Sequence, residues 1–135
     1  MKRIILVVCV LFGIISCNSK DYLGNYIGVQ ESYNIKNEDG SEMIINGNSV
    51  NVPSSEYRIS LDNNKKVTVV QTNLVDKKTY EYNGSYEIIN EKEKYLEIKC
   101  EVNYENSKPT FIIIINKNTL KCQGDFGPDF NLTKV

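Results

Sequence analysis

Apolar and polar residues alternate along residues 79–89, which read TYEYNGSYEII. The Asn83-Gly84 pair at the centre is typical of a two-residue hairpin turn. In such a hairpin each cross-strand pair would combine a tyrosine with a polar or charged residue, so neither face of the sheet would be apolar. In one continuous strand, by contrast, the apolar residues share a face. The pattern therefore favours a single long strand that bends at Gly84, where the missing side chain relieves crowding.

Further strand-like segments recur about every ten residues, with turn-forming residues between them. The candidate strands lie within residues 24–35, 43–45, 56–61, 65–72, 78–89, 95–104, 110–115, 119–124 and 125–135. Sequential strands joined by short turns form antiparallel meanders, and closure hides the edges of an apolar strand such as residues 111–115. We predict an all-β fold over residues 22–135: a single up-and-down antiparallel barrel of eight or nine strands.

The first residues have the layout of an export signal. Lys2 and Arg3 precede an apolar run, residues 4–15, that is shorter than the about 20 residues needed to span a bilayer. The run ends in two isoleucines, and Ser16 and Cys17 follow them. This ending resembles the lipobox of bacterial lipoproteins, in which a peptidase cuts before the cysteine. The alternative is an ordinary secretory signal or an uncleaved anchor, with no special role for Cys17.

The lipobox resemblance implies that residues 1–16 are a removed signal peptide and that Cys17 carries fatty acyl chains (palmitate or similar). Two or three such chains hold a protein stably on a bilayer. Residues 17–21 would then form a tether reaching at most about 14 Å, which keeps the domain close to the membrane of the bacterial cell envelope. Asn18 and Ser19 differ from the inner-membrane retention pattern of some Gram-negative lipoproteins, which favours the outer membrane.

Composition narrows the choice of function. Without residues 1–16 the chain has 16 − 2 = 14 basic and 17 acidic residues, a formal net charge of −3. It contains no basic block, so nothing in it favours nucleic-acid binding. It also contains no histidine, which excludes Ser-His-Asp and Cys-His catalysis and the usual zinc ligand sets. The acidic residues lack metal-loop spacing. We therefore expect no enzymatic activity, no metal site and no cofactor.

Two cysteines follow the predicted cleavage site. Cys100 and Cys122 fall on the apolar faces of their strands. If residues 110–115 form the strand between them, they are two strand spacings apart, about 10 Å. A disulfide needs Cα atoms within about 7 Å, so free buried thiols are favoured, although an exported chain permits a disulfide.

Three strand motifs carry a second resemblance. Gly24-Asn25-Tyr26 opens the first strand, Tyr-x-Gly-x-Tyr-x-Ile occupies residues 82–88, and Leu-x-Ile occupies residues 96–98. Together with the lipobox, they resemble the small lipocalin-like (calycin-type) lipoproteins of bacteria. Tyr26 stands where lipocalins usually carry Trp. The resemblance implies a barrel that holds a small ligand.

Tyrosine is abundant, with nine residues, all after the predicted cleavage site. Several tyrosines on inward faces must satisfy their hydroxyls, which suggests a cavity with polar groups in its wall. The alternative is that the rings simply fill a small barrel. We predict an internal cavity bordered by the residues on either side of the bend. The candidate ligand-binding residues are Tyr57, Tyr80, Tyr82, Gly84, Tyr86 and Tyr104.

Two hypotheses about function follow. The first is a membrane-anchored barrel that binds a small apolar or amphipathic ligand. The second is an interaction protein of the cell envelope whose packed, ligand-free barrel acts through its surface or loops. The sequence names neither the ligand nor the protein partner.

Overall fold

A computed structural model describes residues 21–117 and 119–135. The predicted signal peptide, Cys17 and most of the tether lie outside the described residues. The described part of the chain contains twelve strands: β1 (Gly24–Gln30), β2 (Tyr33–Asn34), β3 (Ile44–Ile45), β4 (Asn48–Ser49), β5 (Asn51–Val52), β6 (Ser55–Leu61), β7 (Lys66–Asn73), β8 (Thr79–Lys92), β9 (Tyr95–Val102), β10 (Thr110–Asn116), β11 (Thr119–Gly124) and β12 (Gly127–Lys134).

Eight of these strands in the described residues form a closed barrel, in the order β1-β12-β11-β10-β9-β8-β7-β6, with β6 returning to β1. All neighbours are antiparallel, so the barrel is an up-and-down meander closed by its first and last strands. The predicted all-β barrel is therefore confirmed. No helix in the described residues is long and apolar enough to cross a membrane.

Strand β8 is continuous through Asn83-Gly84, and the hairpin alternative is wrong. Gly84 pairs with Val67 of β7 on one side and with Val102 of β9 on the other. Tyr86 is buried on the inner face, whereas the residues on the outer face are exposed. The strand ends three residues later than the pattern predicts, because a bulge near residue 89 lets the ladder to β9 continue to Lys92.

Side chains from all eight barrel strands fill the middle of the barrel. Strand β6 shows the alternation most clearly, since every second residue from Ser55 to Leu61 is buried. The largest fully buried side chains are Tyr26, Tyr57, Phe111, Ile59, Ile98 and Ile113. Because this middle layer is packed, the cavities described below lie at the two ends of the barrel.

Cys100 and Cys122 are free and buried, as the strand spacing predicts. Strand β10 lies between them, since Phe111 pairs with Cys100 and Ile113 pairs with Cys122. The meander thus separates the two sulfur atoms by one intervening strand.

The two ends of the barrel differ. The N-terminal end holds the start of β1 and the end of β12. The opposite end carries residues 31–54, which we call the flap, and we call this end the flap end. In the flap, β2 pairs with β5 and β3 pairs with β4. Asn46 and Gly47 join β3 to β4 with φ angles of 53° and 81°, the conformation of a type I′ hairpin turn.

Candidate ligand-binding site at the flap end

A cavity of about 280 Å³ opens at the flap end of the barrel. Its wall is assembled from barrel strands, from the flap, and from the loops that follow β9 and β11. The lining residues are Gln30, Tyr33, Val52, Tyr57, Gln71, Tyr82, Tyr104, Ser107, Pro109, Asp125 and Phe126. Four of them are tyrosines and one is phenylalanine, so the wall is largely aromatic.

Phe126 is the centre of the aromatic wall. Its ring centroid lies 5.1 Å from that of Phe111, 5.3 Å from that of Tyr57 and 6.2 Å from that of Tyr82. Tyr82 in turn meets Tyr104 edge to face, with centroids 5.4 Å apart. These separations are those of favourable aromatic pairs, so the rings support one another and form a preformed apolar surface.

A tight turn between β11 and β12 places Phe126 over the barrel. Gly127, which follows it, has a φ of +110°, a conformation that side chains rarely adopt. A Cβ atom on Gly127 would lie 2.5 Å from the hydroxyl oxygen of Tyr33. Glycine at this position therefore allows the flap residue Tyr33 to pack against the turn and close one side of the cavity.

Gln30 fastens the turn to strand β1. Its side chain is only 3% exposed, and its Nε2 donates hydrogen bonds of 2.9 Å to the carbonyl oxygens of Phe126 and Pro128. Both bonds hold the main chain on either side of Gly127. The position of the Phe126 ring is thus set by a buried side chain at the far end of β1.

A second set of hydrogen bonds crosses the inner face of three strands. The hydroxyl of Tyr82 donates to Oε1 of Gln71 at 3.0 Å. Nε2 of Gln71 then donates to Oγ of the buried Ser55 at 3.3 Å. This arrangement fixes the Tyr82 ring and the Gln71 amide in the cavity wall.

Burial makes two tyrosine hydroxyls of the site harder to ionise. Desolvation raises the pKa of Tyr57 and of Tyr82 above the ordinary value, and the neighbouring Tyr104 adds to the effect on Tyr82. At neutral pH these hydroxyls, which are protonated even at the ordinary tyrosine pKa, carry no negative charge. The site is suited to a neutral or acceptor-bearing molecule.

The structure brings some of the predicted site residues together and separates others. Tyr57, Tyr82 and Tyr104 all line the flap-end cavity. Tyr80 is 47% exposed near the same end of β8 and is not among the lining residues. Tyr86 lies towards the N-terminal end, where its hydroxyl donates to the carbonyl oxygen of Asp62.

The space beside Gly84 is filled. A Cβ atom on Gly84 would lie 1.8 Å from the carbonyl oxygen of Glu101 and 2.7 Å from the Cα of Val102. The main chain of β9 therefore occupies the gap that the sequence suggests as a cavity between Tyr82 and Tyr86. The cavity is instead displaced to the flap end, beyond Tyr82.

The sequence interpretation missed the two glutamines of the site. Gln30 follows Tyr26 and Gly28 at even spacing, and Gln71 follows Val67 and Val69 in the same way. A polar residue at an inward position near the end of a strand is a signal that could have identified both.

Searches against family models, characterised proteins and solved structures find no match. Within the described residues, no group of three or more His, Cys, Asp or Glu side chains is arranged to hold a metal ion. The closed eight-stranded meander and its aromatic end cavity are thus the features from which function is inferred.

Proposed function

We propose that this chain is a lipid-anchored barrel protein of the bacterial cell envelope that binds a small apolar or amphipathic ligand in its flap-end cavity. The observation that carries the proposal is the preformed aromatic wall around Phe126. Such a wall offers flat apolar surface beside a few fixed polar groups, which is the usual composition of a small-molecule site.

The size of the cavity limits the ligand. Its volume of about 280 Å³ lies just below the usual range for small-molecule pockets, about 300–1,000 Å³. The packed middle of the barrel forms the floor of the cavity. The ligand would therefore lie across the opening at the flap end rather than along the barrel axis. A planar molecule of one or a few rings, carrying hydrogen-bond acceptors, fits this shape.

The polar groups of the wall suggest how the ligand is oriented. The hydroxyls of Tyr57 and Tyr104 are donors, and the Gln71 amide is held in place by its bonds to Tyr82 and Ser55. A ligand acceptor can bind these donors while its ring lies against the rings of the wall. The carboxylate of Asp125 is already occupied by the amide of Thr110, at 2.9 Å.

With the anchor at the N-terminal end, this cavity would lie at the end of the barrel that is farther from the membrane. The lipobox puts acylated Cys17 four residues before Asp21, at the N-terminal end of the barrel. The flap end is at the opposite end of the same strands. A ligand in the surrounding aqueous space could then reach the cavity without crossing the membrane surface.

Binding of a flat fluorescent amphiphile, 1-anilinonaphthalene-8-sulfonate, tests the proposal. Tyr104 is 45% exposed and lines the cavity, so Tyr104→Ala should remove binding surface with little effect on folding. We expect the affinity for the probe to fall by about tenfold, the loss of one aromatic contact. Val75→Ala, which removes an exposed apolar side chain elsewhere at the flap end, is the control. Equal affinities for both variants and the parent, or no binding to the parent, would refute this site.

A second function is favoured by one surface feature. The β3–β4 hairpin of the flap exposes Ile44 and Ile45, at 55% and 56%. Two neighbouring exposed isoleucines at the tip of a hairpin are typical of a protein contact. If the protein acts as an envelope interaction protein, Ile44→Ser with Ile45→Ser should abolish site-specific cross-linking from the flap in cells. The same double variant should leave probe binding unchanged.

A further inference from the structure

A second and larger cavity, of about 560 Å³, opens at the N-terminal end of the barrel. Its floor is apolar and includes half-buried side chains of Leu96, Ile115 and Leu120. Tyrosines and charged residues form the remainder of the lining: Tyr22, Tyr26, Tyr95, Asp21, Glu91, Lys92, Lys94, Lys117 and Lys134.

The rim of this cavity is positively charged. Four lysines line it against two acidic residues, although the described chain as a whole has 16 − 3 = 13 basic and 17 acidic residues. The lining of this mouth therefore carries a local excess of 4 − 2 = 2 positive charges, on a chain whose net charge is negative. Most of the acidic residues lie elsewhere on the barrel and the flap.

None of the four lysines forms an ion pair within the described residues. Within the described residues, the side chains of Lys92, Lys94 and Lys117 have no carboxylate oxygen within 4.0 Å. The remaining residues of the chain contain no Asp or Glu that could pair with them. Lys134 is held at the rim, since its Nζ donates to the carbonyl oxygen of Asp21 and lies 5.9 Å from the centre of the Tyr26 ring.

We propose that this lysine rim docks on the anionic headgroups of the bilayer, so that the N-terminal end of the barrel faces the membrane. The inference rests on the acyl anchor of the proposed function, which would hold Asp21 within about 14 Å of Cys17. At that distance, within about one to two Debye lengths, charges on the rim and the membrane still attract each other.

Docking would fix the orientation of the barrel relative to the membrane, which the acyl anchor alone does not do. A flexible tether lets the barrel rotate, whereas each lysine close to an anionic surface strengthens binding by about fivefold. Tyrosines such as Tyr22 and Tyr95 suit the headgroup region, because they combine an apolar ring with a polar hydroxyl. The docked barrel would present the flap and its cavity away from the membrane.

Tryptophan fluorescence of the acylated protein in vesicles tests the docking. The chain has no tryptophan, so Tyr95→Trp places a single reporter at the lysine rim and Tyr104→Trp places one at the flap end. Vesicles contain phosphatidylcholine with a nitroxide on its headgroup, with or without phosphatidylglycerol. Quenching of the Tyr95→Trp reporter should be at least about twofold stronger in the anionic vesicles. It should return to the neutral level in high salt, where charges are screened.

Charge reversal supplies the matched comparison. Lys92→Glu with Lys117→Glu should remove the extra quenching of the Tyr95→Trp reporter. Lys78→Glu with Lys108→Glu changes the net charge by the same amount, but at exposed residues of the flap end. This control variant should retain the extra quenching of the Tyr95→Trp reporter. Thermal unfolding of each variant confirms that the barrel is intact.

Each result decides the proposal. Equal quenching of the Tyr95→Trp reporter in neutral and anionic vesicles overturns it, as does stronger quenching at the flap end. If the protein stays in the supernatant with neutral vesicles, the anchor of the proposed function is wrong. The docking then stands only if the Tyr95→Trp reporter is still quenched by anionic vesicles at low salt.

Discussion

The carbonyl oxygen of Glu101 lies 1.8 Å from the position that a Cβ atom would take on Gly84. No side chain fits there unless β8 and β9 separate, because the obstacle is main chain. Gly84→Ala should therefore lower the free energy of unfolding by about 3 kcal/mol, measured by urea denaturation. Ser85→Ala, at the adjacent exposed position, should change it little. Equal stability of the two variants would show that the strands are not in such close contact.

The hydroxyl of Tyr82 should contribute to stability. Tyr82→Phe removes the donor to Gln71, and we expect a loss of about 1 kcal/mol in the free energy of unfolding. Tyr80→Phe removes a hydroxyl from a side chain that is 47% exposed, and should have almost no effect. If the two variants unfold at the same urea concentration, the bond across β7 and β8 is not formed in solution.

The buried thiols should make the protein less stable at alkaline pH. Burial raises the pKa of Cys122 to about 12 and also raises the pKa of Cys100. The native state thus keeps protons that the unfolded state releases above its thiol pKa of about 8.5. The stability is fully present below that pH and falls by up to about 1.4 kcal/mol per pH unit for each thiol as the pH rises towards the native pKa.

Denaturation between pH 8 and 10, below the ordinary pKa of tyrosine, measures this slope. The double variant Cys100→Ala, Cys122→Ala will be less stable at every pH, because it leaves space in the core. Its stability should nevertheless vary less with pH than that of the parent. Parallel curves for the two proteins would contradict the assignment.

The anchor predicts a defined N-terminus. Mass spectrometry of the protein from bacterial membranes should find a chain that begins at Cys17 and carries fatty acids. Cys17→Ala should block both acylation and cleavage and leave a longer chain. A variant that is processed normally and remains equally membrane-bound would rule out the lipobox.

The chain contains two Asn-Gly pairs, and they show what local pattern can predict. Asn83-Gly84 is flanked by residues whose alternation fits one strand only, so parity identified β8 correctly. Asn46-Gly47 is the true hairpin turn, but it lies in a segment with little alternation, and the sequence predicted only a loop there. Short strands that bury little apolar surface leave a weak periodic signal.

The candidate site was predictable in part. Alternation placed Tyr57 and Tyr82 on the inner face, where the structure has them. It could not separate Tyr82 from Tyr86 along the strand, because a period of two gives the face of a residue but not its height in the barrel. Height depends on the stagger between neighbouring strands, and the filling of the gap at Gly84 depends on how closely β9 approaches. Both are properties of the closed barrel rather than of one segment.

Strand β12 meets β1 only through residues 26–28, whereas β6 is paired with β1 along its whole length, Gly24–Gln30. During synthesis from the N-terminus, β12 is also the last strand of the barrel to emerge. Until it does, β1 and β11 are open edges to which another chain could add. The growing chain thus forms, for a time, a nearly complete sheet that β12 has not yet closed into a barrel. Protection against aggregation is needed in that interval, and it ends when residues 124–135 have folded into place.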